Sequence, residues 1–289
     1  MSDSTVPSAP VDPAAAPAEP ASPPTRLWSP RMVALDVDGT LIPYGDFHAP
    51  PSDVVRDAVR RVRDAGVHAV VATGRSLHST YPVFDALGLD DGFAVCSNGA
   101  VVVDVAARSP VDVVTFDALE PVRYFAEQVP DAILAVEELG VGFRISGENV
   151  DFEFDGEVTV VPHAELVQGP VTRLVVRWHE GDRDRLRAVA AEMGLPAVDY
   201  AIGYTAWLDI MPAGVSKAEG LDKICFRLGI GQDEVLAVGD GHNDVEMLRW
   251  AGRGVAMGNA PDDVKAVADE VAGHVDDDGV ATLLDRYVR

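Results

Sequence analysis

The stretch Asp36-Val37-Asp38-Gly39-Thr40-Leu41 follows Met32-Val33-Ala34-Leu35, an apolar run with the length and composition of a buried strand. Two carboxylates therefore stand just past a strand end, with a glycine behind them. Alternate residues of an extended chain point the same way, so Asp36 and Asp38 face one site if extended geometry persists briefly past Leu35. Carboxylates that close repel each other. A proton on one of them, or a cation between them, relieves the repulsion, and either outcome is useful for chemistry. The competing explanation is structural, because Asp-Gly is a common turn pair.

Moving outward, Val54, Val55, Ala58, Val59 and Val62 share one face of a helix predicted over Ser52–Ala65 and closed by Gly66. Val67–Ala72 reads as a strand, Thr73-Gly74-Arg75-Ser76 opens a helix running to about Leu87, and Phe93–Ser97 reads as a third strand. This alternation predicts a parallel sheet with right-handed crossovers, and such sheets bind ligands beyond the carboxyl ends of their strands. Asp36 and Thr73 both fall on that edge. After Asn98-Gly99-Ala100 and the apolar run Val101–Val105 the rhythm changes. Apolar stretches at Val141–Ile145, Val171–Trp178 and Thr205–Ile210 mix with helical candidates at Leu119–Gln128 and Asp182–Met193. They predict a separate α+β domain, residues 106–211, inserted between two segments of the parallel domain, residues 27–105 and 212–289. Residues 1–26, rich in Pro, Ala and Ser, cannot bury enough apolar surface to offset their ordering entropy and are expected to be a disordered tail.

The parallel rhythm resumes at Ser216, which with Glu219 forms a capping-box signature for a helix ending at Gly229. Lys217 then lies in the first turn, where a cation opposes the helix dipole unless an anion binds beside it. Val235–Val238 is a further strand, ending in Gly239-Asp240-Gly241-His242-Asn243-Asp244 and a helix through Trp250. Gly254–Met257, Gly258-Asn259-Ala260, a helix near Pro261 and a last helix from Gly279-Val280 complete the pattern. Successive strand ends thus carry a carboxylate pair, a hydroxyl with backbone donors, a lysine at a helix start and another acidic cluster. Independent turns and caps explain any one of these, but not their joint occurrence along one ligand-binding edge.

Composition narrows the ligand. With 23 basic and 47 acidic residues the chain has a formal charge of −24, which argues against nucleic-acid and anionic-lipid partners while permitting one small anion at a local positive site. Apolar residues make up 47% and the mean hydropathy is +0.08, as in ordinary soluble proteins. No apolar run approaches the roughly 20 residues that span a bilayer. No secretory signal pattern opens the chain, so a cytoplasmic location is expected. Cys96 and Cys225 match no metal-ligand spacing and are expected to be reduced and buried. The sequence gives no indication of oligomeric state.

This set of motifs resembles the haloacid dehalogenase (HAD) superfamily of phosphohydrolases, in particular the Cof-type branch, subfamily IIB. The resemblance spans essentially everything after Arg26 and is stronger in the two core segments than between them. Asp36 to Leu41 is similar to the family's first motif, Thr73-Gly74-Arg75 to its second, Lys217 in Val215-Ser216-Lys217 to its third, and Gly239 to Asp244 to its fourth. Met257-Gly258-Asn259-Ala260 and Asp278-Gly279-Val280 also resemble that branch; Ala218 departs from it, since glycine usually follows the lysine.

The resemblance implies an α/β fold with a Rossmann-like parallel-sheet core and an inserted α+β cap of the C2 type. It implies Asp36 as nucleophile and Asp38 as general acid and base. Mg2+ would be held by Asp36, the Asp38 carbonyl and Asp240, with Asp244 in support. Thr73, Gly74, Lys217 and Asn243 would surround the phosphoryl group. The substrate is then a small phosphomonoester, with sugar phosphates the leading class and pyridoxal phosphate behind. Arg75, Asn98, Arg144, His179, Tyr204 and Trp207 are the candidates for contacts to the rest of it. A carboxylate at Asp38 fits complete hydrolysis. A sugar phosphomutase, a regulator that binds a phosphorylated ligand without turnover, and an acidic interaction protein acting through the tail are the remaining alternatives.

Overall fold

A computed structural model of the chain describes residues 28–45, 47–148, 154–179, 181–194, 198–202 and 206–287. The tail expected over residues 1–26 and the candidate Tyr204 lie outside the described residues. The order of elements is β1 (Met32–Leu35), α1 (Asp53–Asp64), β2 (His68–Val71), α2 (Leu77–Leu87), β3 (Phe93–Cys96), β4 (Val101–Asp104) and β5 (Ser109–Val113). There follow α3 (Leu119–Gln128), β6 (Ile133–Glu138), β7 (Gly142–Ile145), β8 (Glu157–Val160), β9 (Leu174–Arg177), α4 (Arg183–Met193), β10 (Val198–Ile202) and β11 (Trp207–Pro212). The chain closes with α5 (Lys217–Leu228), β12 (Val235–Gly239), α6 (Val245–Trp250), β13 (Arg253–Ala256), α7 (Asp262–Lys265), β14 (Glu270–Val271) and α8 (Gly279–Tyr287).

The central sheet has the order β14-β13-β12-β1-β2 and every pairing in it is parallel. Strand β1 lies in its middle and is buried on both faces, which is why it reads as a continuous apolar run instead of an alternating one. Val33 and Leu35 point into a core shared with α1, α2 and α8, while Met32 and Ala34 point into a second core shared with α5, α6 and Val264 of α7. Helices thus cover both faces, as the βαβ alternation requires. Ser52 and Ser216 cap α1 and α5 by accepting from backbone N–H groups three residues on, and for α5 this is the start expected from the capping signature at Ser216. Ala218 is buried on α5 among these core residues, so the departure from glycine is accommodated.

Strand β3 touches the central sheet through the parallel bridge Ala72–Val95 and continues into an antiparallel sheet β3-β4-β5. Strand β5 falls past residue 105, yet it pairs with β4, and Lys223 Nζ on α5 reaches Asp112 Oδ1 at 2.5 Å. We therefore propose moving the first boundary of the inserted domain from residue 105 to beyond β5. A second, mixed sheet has the order β10-β11-β9-β6-β7-β8 and is antiparallel except at β7–β8. Its strand register separates two faces. Leu134, Val136, Leu174, Val176, Leu208 and Ile210 pack under α3 and α4. Ala135, Val175, Phe143 and Ile145 point the other way, with Phe154 and Trp207. Among the described residues no helix is long and apolar enough to cross a membrane.

Candidate active site

The carboxyl ends of β1, β2 and β12 and the start of α5 meet at one point. Asp36 directly follows β1, and its N–H donates to the Val238 carbonyl of β12 at 3.0 Å, so the central pairing fixes its backbone. The chain then folds back on itself: Gly39 N–H donates to Ile42 O and Ile42 N–H to Val37 O. Gly39 adopts φ +84°, and a Cβ there would stand 2.2 Å from the Asp240 carboxylate. Only glycine allows the first motif to pass this close to the fourth.

Lys217, the first residue of α5, is completely buried, and its Nζ donates to Asp36 Oδ1 and Asp244 Oδ1, each at 2.6 Å. The cation that opposes the helix dipole is thus held by two carboxylates of the chain itself. Asp244 accepts on its other oxygen from the N–H groups of Asp240 (2.9 Å) and Gly241 (2.8 Å), so it shapes the loop that presents Asp240. Asp240 Oδ2 accepts from Tyr44 Oη at 3.1 Å and Asn259 Nδ2 at 3.0 Å, whereas its Oδ1 is buried and has no hydrogen-bond partner among the described residues. Burial, reinforced by the charge of Asp244, raises the Asp36 carboxyl well above the usual range and pushes Asp240 up to about 7. Burial disfavours the charged form of Lys217, but Asp244 and Asp36 outweigh it and the ammonium is held more firmly than usual.

A divalent cation fits this donor set. Asp36, Asp240 and Asp244 bring carboxylate oxygens within 4.8 Å of one another, one cation faces three carboxylates, and a buried oxygen awaits a partner. Hard oxygen donors of this kind suit Mg2+.

Asp38, close enough for its charge to act on Asp36 and Asp240, is held by a different partner. Both its oxygens lie in the fork of Arg75, with Nε at 2.9 Å from Oδ2 and Nη2 at 2.6 Å from Oδ1. Thr73 is fully buried, and its Oγ1 accepts from the Arg75 N–H at 3.0 Å, which turns the loop so that the guanidinium reaches Asp38. Gly74 lies against an amide pair: a Cβ there would be 2.9 Å from Asn98 Oδ1 and 3.4 Å from Asn243 Nδ2, which donates to that Oδ1 at 2.9 Å. Thr73, Gly74, Asn98 and Asn243 are therefore neighbours, as are Asp36, Lys217, Asp240 and Asp244.

The remaining candidates scatter. Arg144 faces the helix-covered side of the mixed sheet, opposite Val136, where it pairs with Glu138 at 2.6 Å. Trp207 lies on the other side, beneath the Arg173 guanidinium at 5.9 Å. His179 follows β9. Sequence reasoning missed Tyr44 and left Asn259 without a role, although its motif had been singled out. It also missed Glu137, a cap carboxylate buried in contact with the core. Burial raises the Glu137 carboxyl, with Arg173 and its hydrogen-bond donors pulling the other way.

The profile of the haloacid dehalogenase-like hydrolases matches residues 33–284. The chain is 29% identical over 276 residues to the 5-amino-6-(5-phospho-D-ribitylamino)uracil phosphatase YitU of Bacillus subtilis, covering 89% of this chain and 97% of that one. It is 30% identical over 272 residues to the pyridoxal phosphate phosphatase YbhA of Escherichia coli, covering 88% and 97%. A solved phosphatase of the HAD superfamily from Bacteroides thetaiotaomicron superposes with a TM-score of 0.76 at 27% identity, covering 93% of this chain and 99% of its own. The chain belongs to the haloacid dehalogenase-like hydrolases, and within them to the phosphatases.

Proposed function

We propose that this chain is a Mg2+-dependent phosphomonoester hydrolase working through an aspartyl-phosphate on Asp36, with sugar phosphates as the leading substrate class. The observation that carries the reading is the buried Asp36–Lys217–Asp244 bridge beside the unpartnered Asp240 Oδ1. Lys217 holds Asp36 in place at the strand end, so the attacking oxygen is positioned before substrate arrives. Attack on phosphorus breaks the ester bond, and the departing alcohol takes a proton from Asp38. Asp38, then a carboxylate, removes a proton from water, which attacks the aspartyl-phosphate, releasing phosphate and restoring Asp36. Arg75 keeps Asp38 aimed throughout. Lys217, the Thr73 and Gly74 loop and Asn243 offer donors where charge develops on the phosphoryl oxygens. When bound, Mg2+ held by Asp36, the Asp38 carbonyl and Asp240, with Asp244 behind them, supplies positive charge against those oxygens.

A cavity of about 230 Å³ adjoins Arg75 and is bordered by Phe47, His48, Ser79, Pro82 and Asp155. It lies on the Asp38 side, where a leaving group emerges, and its size suits a small metabolite. YitU is named for a phosphorylated ribitylamino compound, which favours sugar phosphates, and YbhA for pyridoxal phosphate. The partner is then a small molecule rather than nucleic acid or membrane, and the reaction is cytoplasmic. The test is Mg2+-dependent release of phosphate across a phosphomonoester panel including p-nitrophenyl phosphate. Asp36→Asn is expected to abolish turnover. Full activity in that variant would sink the nucleophile assignment, and no activity across the panel would sink the reading.

A further inference from the structure

Residues Ser97, Asn98 and Gly99 have φ of +49°, +54° and +108°, three successive left-handed residues of which two are not glycine. Something must hold so unfavourable a turn, and its contacts account for every side of it. Ser97 N–H donates to Arg75 O at 2.8 Å and Asn98 N–H to Thr73 O at 3.1 Å, tying it to the Thr73–Arg75 loop. Asn98 Oδ1 accepts from Asn243 Nδ2 at 2.9 Å, tying it to the loop after β12. Gly99 lies against the residue before Lys217, where a Cβ would stand 2.0 Å from Ser216 O. The turn therefore touches all three segments that surround the phosphoryl position.

The fourth side of the turn belongs to the inserted domain. Ser97 Oγ donates to Glu137 Oε2 at 2.7 Å, and Leu77 N–H, at the start of α2, points at Glu137 Oε1 at 3.4 Å. Glu137 sits near the end of β6 on the face of the mixed sheet that α3 and α4 leave uncovered, beside Thr172, whose Oγ1 donates to it at 3.1 Å. It is 5% exposed. Arg173 acts on it through charge, while its guanidinium is bonded to Asp209 at 2.7 Å. A carboxylate buried in a seam between domains, satisfied by the other domain's hydroxyl and N–H groups, specifies one relative position more sharply than apolar packing does.

We propose that Glu137 is a positioning residue for the phosphatase reaction: it seats the cap on the Ser97–Gly99 turn, so that docking of the cap and alignment of the Asn98–Asn243 amide pair at the phosphoryl site are one event. Glu137 touches no substrate. It acts through Ser97, then Asn98, then the Asn243 side chain.

This inference rests on the proposed function, and its test separates the two. Ser97→Ala, Glu137→Gln and the double variant are compared by kcat/KM with p-nitrophenyl phosphate, by calorimetric affinity for inorganic phosphate in Mg2+, and by melting temperature. Each single substitution is expected to lower kcat/KM and phosphate affinity together by about ten-fold, with the double variant no worse than the worse single, as for two residues in one network. Thr172→Val removes a bond that Glu137 makes inside the cap and is expected to lower the melting temperature while phosphate affinity stays within about two-fold. Effects of Ser97→Ala and Glu137→Gln that multiply independently, or that appear only in the melting temperature, overturn the inference and leave the phosphatase reading standing. If Glu137→Gln does not fold, an unchanged phosphate affinity in Ser97→Ala overturns it alone. A wild-type chain that binds phosphate but hydrolyses nothing sinks the phosphatase reading instead, and phosphate affinity still decides this one.

Discussion

Two buried charge clusters, one in each domain, differ in how completely they are satisfied. In the cap, Arg173 forks Asp209, while Glu137 is met by Ser97, Thr172 and a backbone N–H. In the core, Lys217 bonds Asp36 and Asp244 beside Asp240, and among the described residues one buried Asp240 oxygen has no hydrogen-bond partner. The cap cluster is finished and holds a position. The core cluster leaves an acceptor unused, which supports the proposal that a cation and an anion complete it and that the chemistry takes place there.

The sharpest way to break this contrast is to remove the buried cation that bonds two carboxylates of the core cluster. Lys217→Met leaves buried carboxylates uncompensated, and loss of one partner of a buried pair costs about 3–5 kcal/mol. Asp36 is then protonated more readily and attacks poorly, so we expect a fall in kcat of about 10³-fold or more alongside the loss of stability. Denaturant melts and p-nitrophenyl phosphate kinetics read both; near-normal turnover would show that Lys217 only fills space. Asp38→Asn should be milder, because Asp38 makes no bond to Lys217 and an amide of the same shape keeps one of the two acceptors that Arg75 uses. It is expected to cost about 10²–10⁴-fold in kcat while phosphate affinity changes little. An equal loss of phosphate affinity would contradict a role confined to proton transfer.

Acidity sharpens the contrast further. Burial holds Asp240 at about 7 against an ordinary value of 3.8, so the metal-free folded state keeps a proton that the unfolded state has lost. Its contribution to stability is fully present below about pH 4 and is lost as pH rises through 7, with a slope of up to about 1.4 kcal/mol per pH unit. Mg2+ needs the deprotonated carboxylates, so its stabilisation should grow from about pH 5 to about pH 7.5 and fall away below that range. Melting curves with Mg2+ and with a chelator at several pH values test this. A Mg2+ increment that does not vary with pH would mean that the acidic trio is not where the metal binds.

What could be read in the sequence and what could not divide along the same line. Asp36, Asp38, Thr73, Lys217, Asp240 and Asp244 each stand at a strand end or helix start, where an apolar run, a glycine or a cap fixes the backbone locally, so their convergence followed from topology. Their partners are a different matter. That Lys217 would bridge Asp36 and Asp244, rather than wait for a ligand, depends on side chains 181 and 27 residues away in sequence. Glu137 lies within one apolar strand of an inserted sheet and Arg173 just before another, no local signal sets the register of that sheet, and their purpose appears only when Ser97 and Asp209 arrive from elsewhere. Arg144 illustrates the cost: it carries the right chemistry, but the register turns it toward the helices.

The smallest effects are expected on the uncovered face of the cap sheet. Trp207 pairs across from Arg177 in β9, and the alternation that buries Leu208 under the helices puts Trp207 on the same side as Ala135, Val175 and Glu137, the side that meets the core. Arg144 is opposite Val136 on the covered side. If leaving groups are sorted by the uncovered face, Trp207→Ala should change the ratio of kcat/KM between a sugar phosphate and p-nitrophenyl phosphate by about 3- to 30-fold, the range of one apolar contact. Its kcat with p-nitrophenyl phosphate alone should stay within about three-fold. Arg144→Ala should leave the ratio unchanged and act only on stability, through the lost bond to Glu138. Should Arg144→Ala shift the ratio and Trp207→Ala leave it alone, selectivity would belong to the helix-covered side, and the division of labour between the two faces would be reversed.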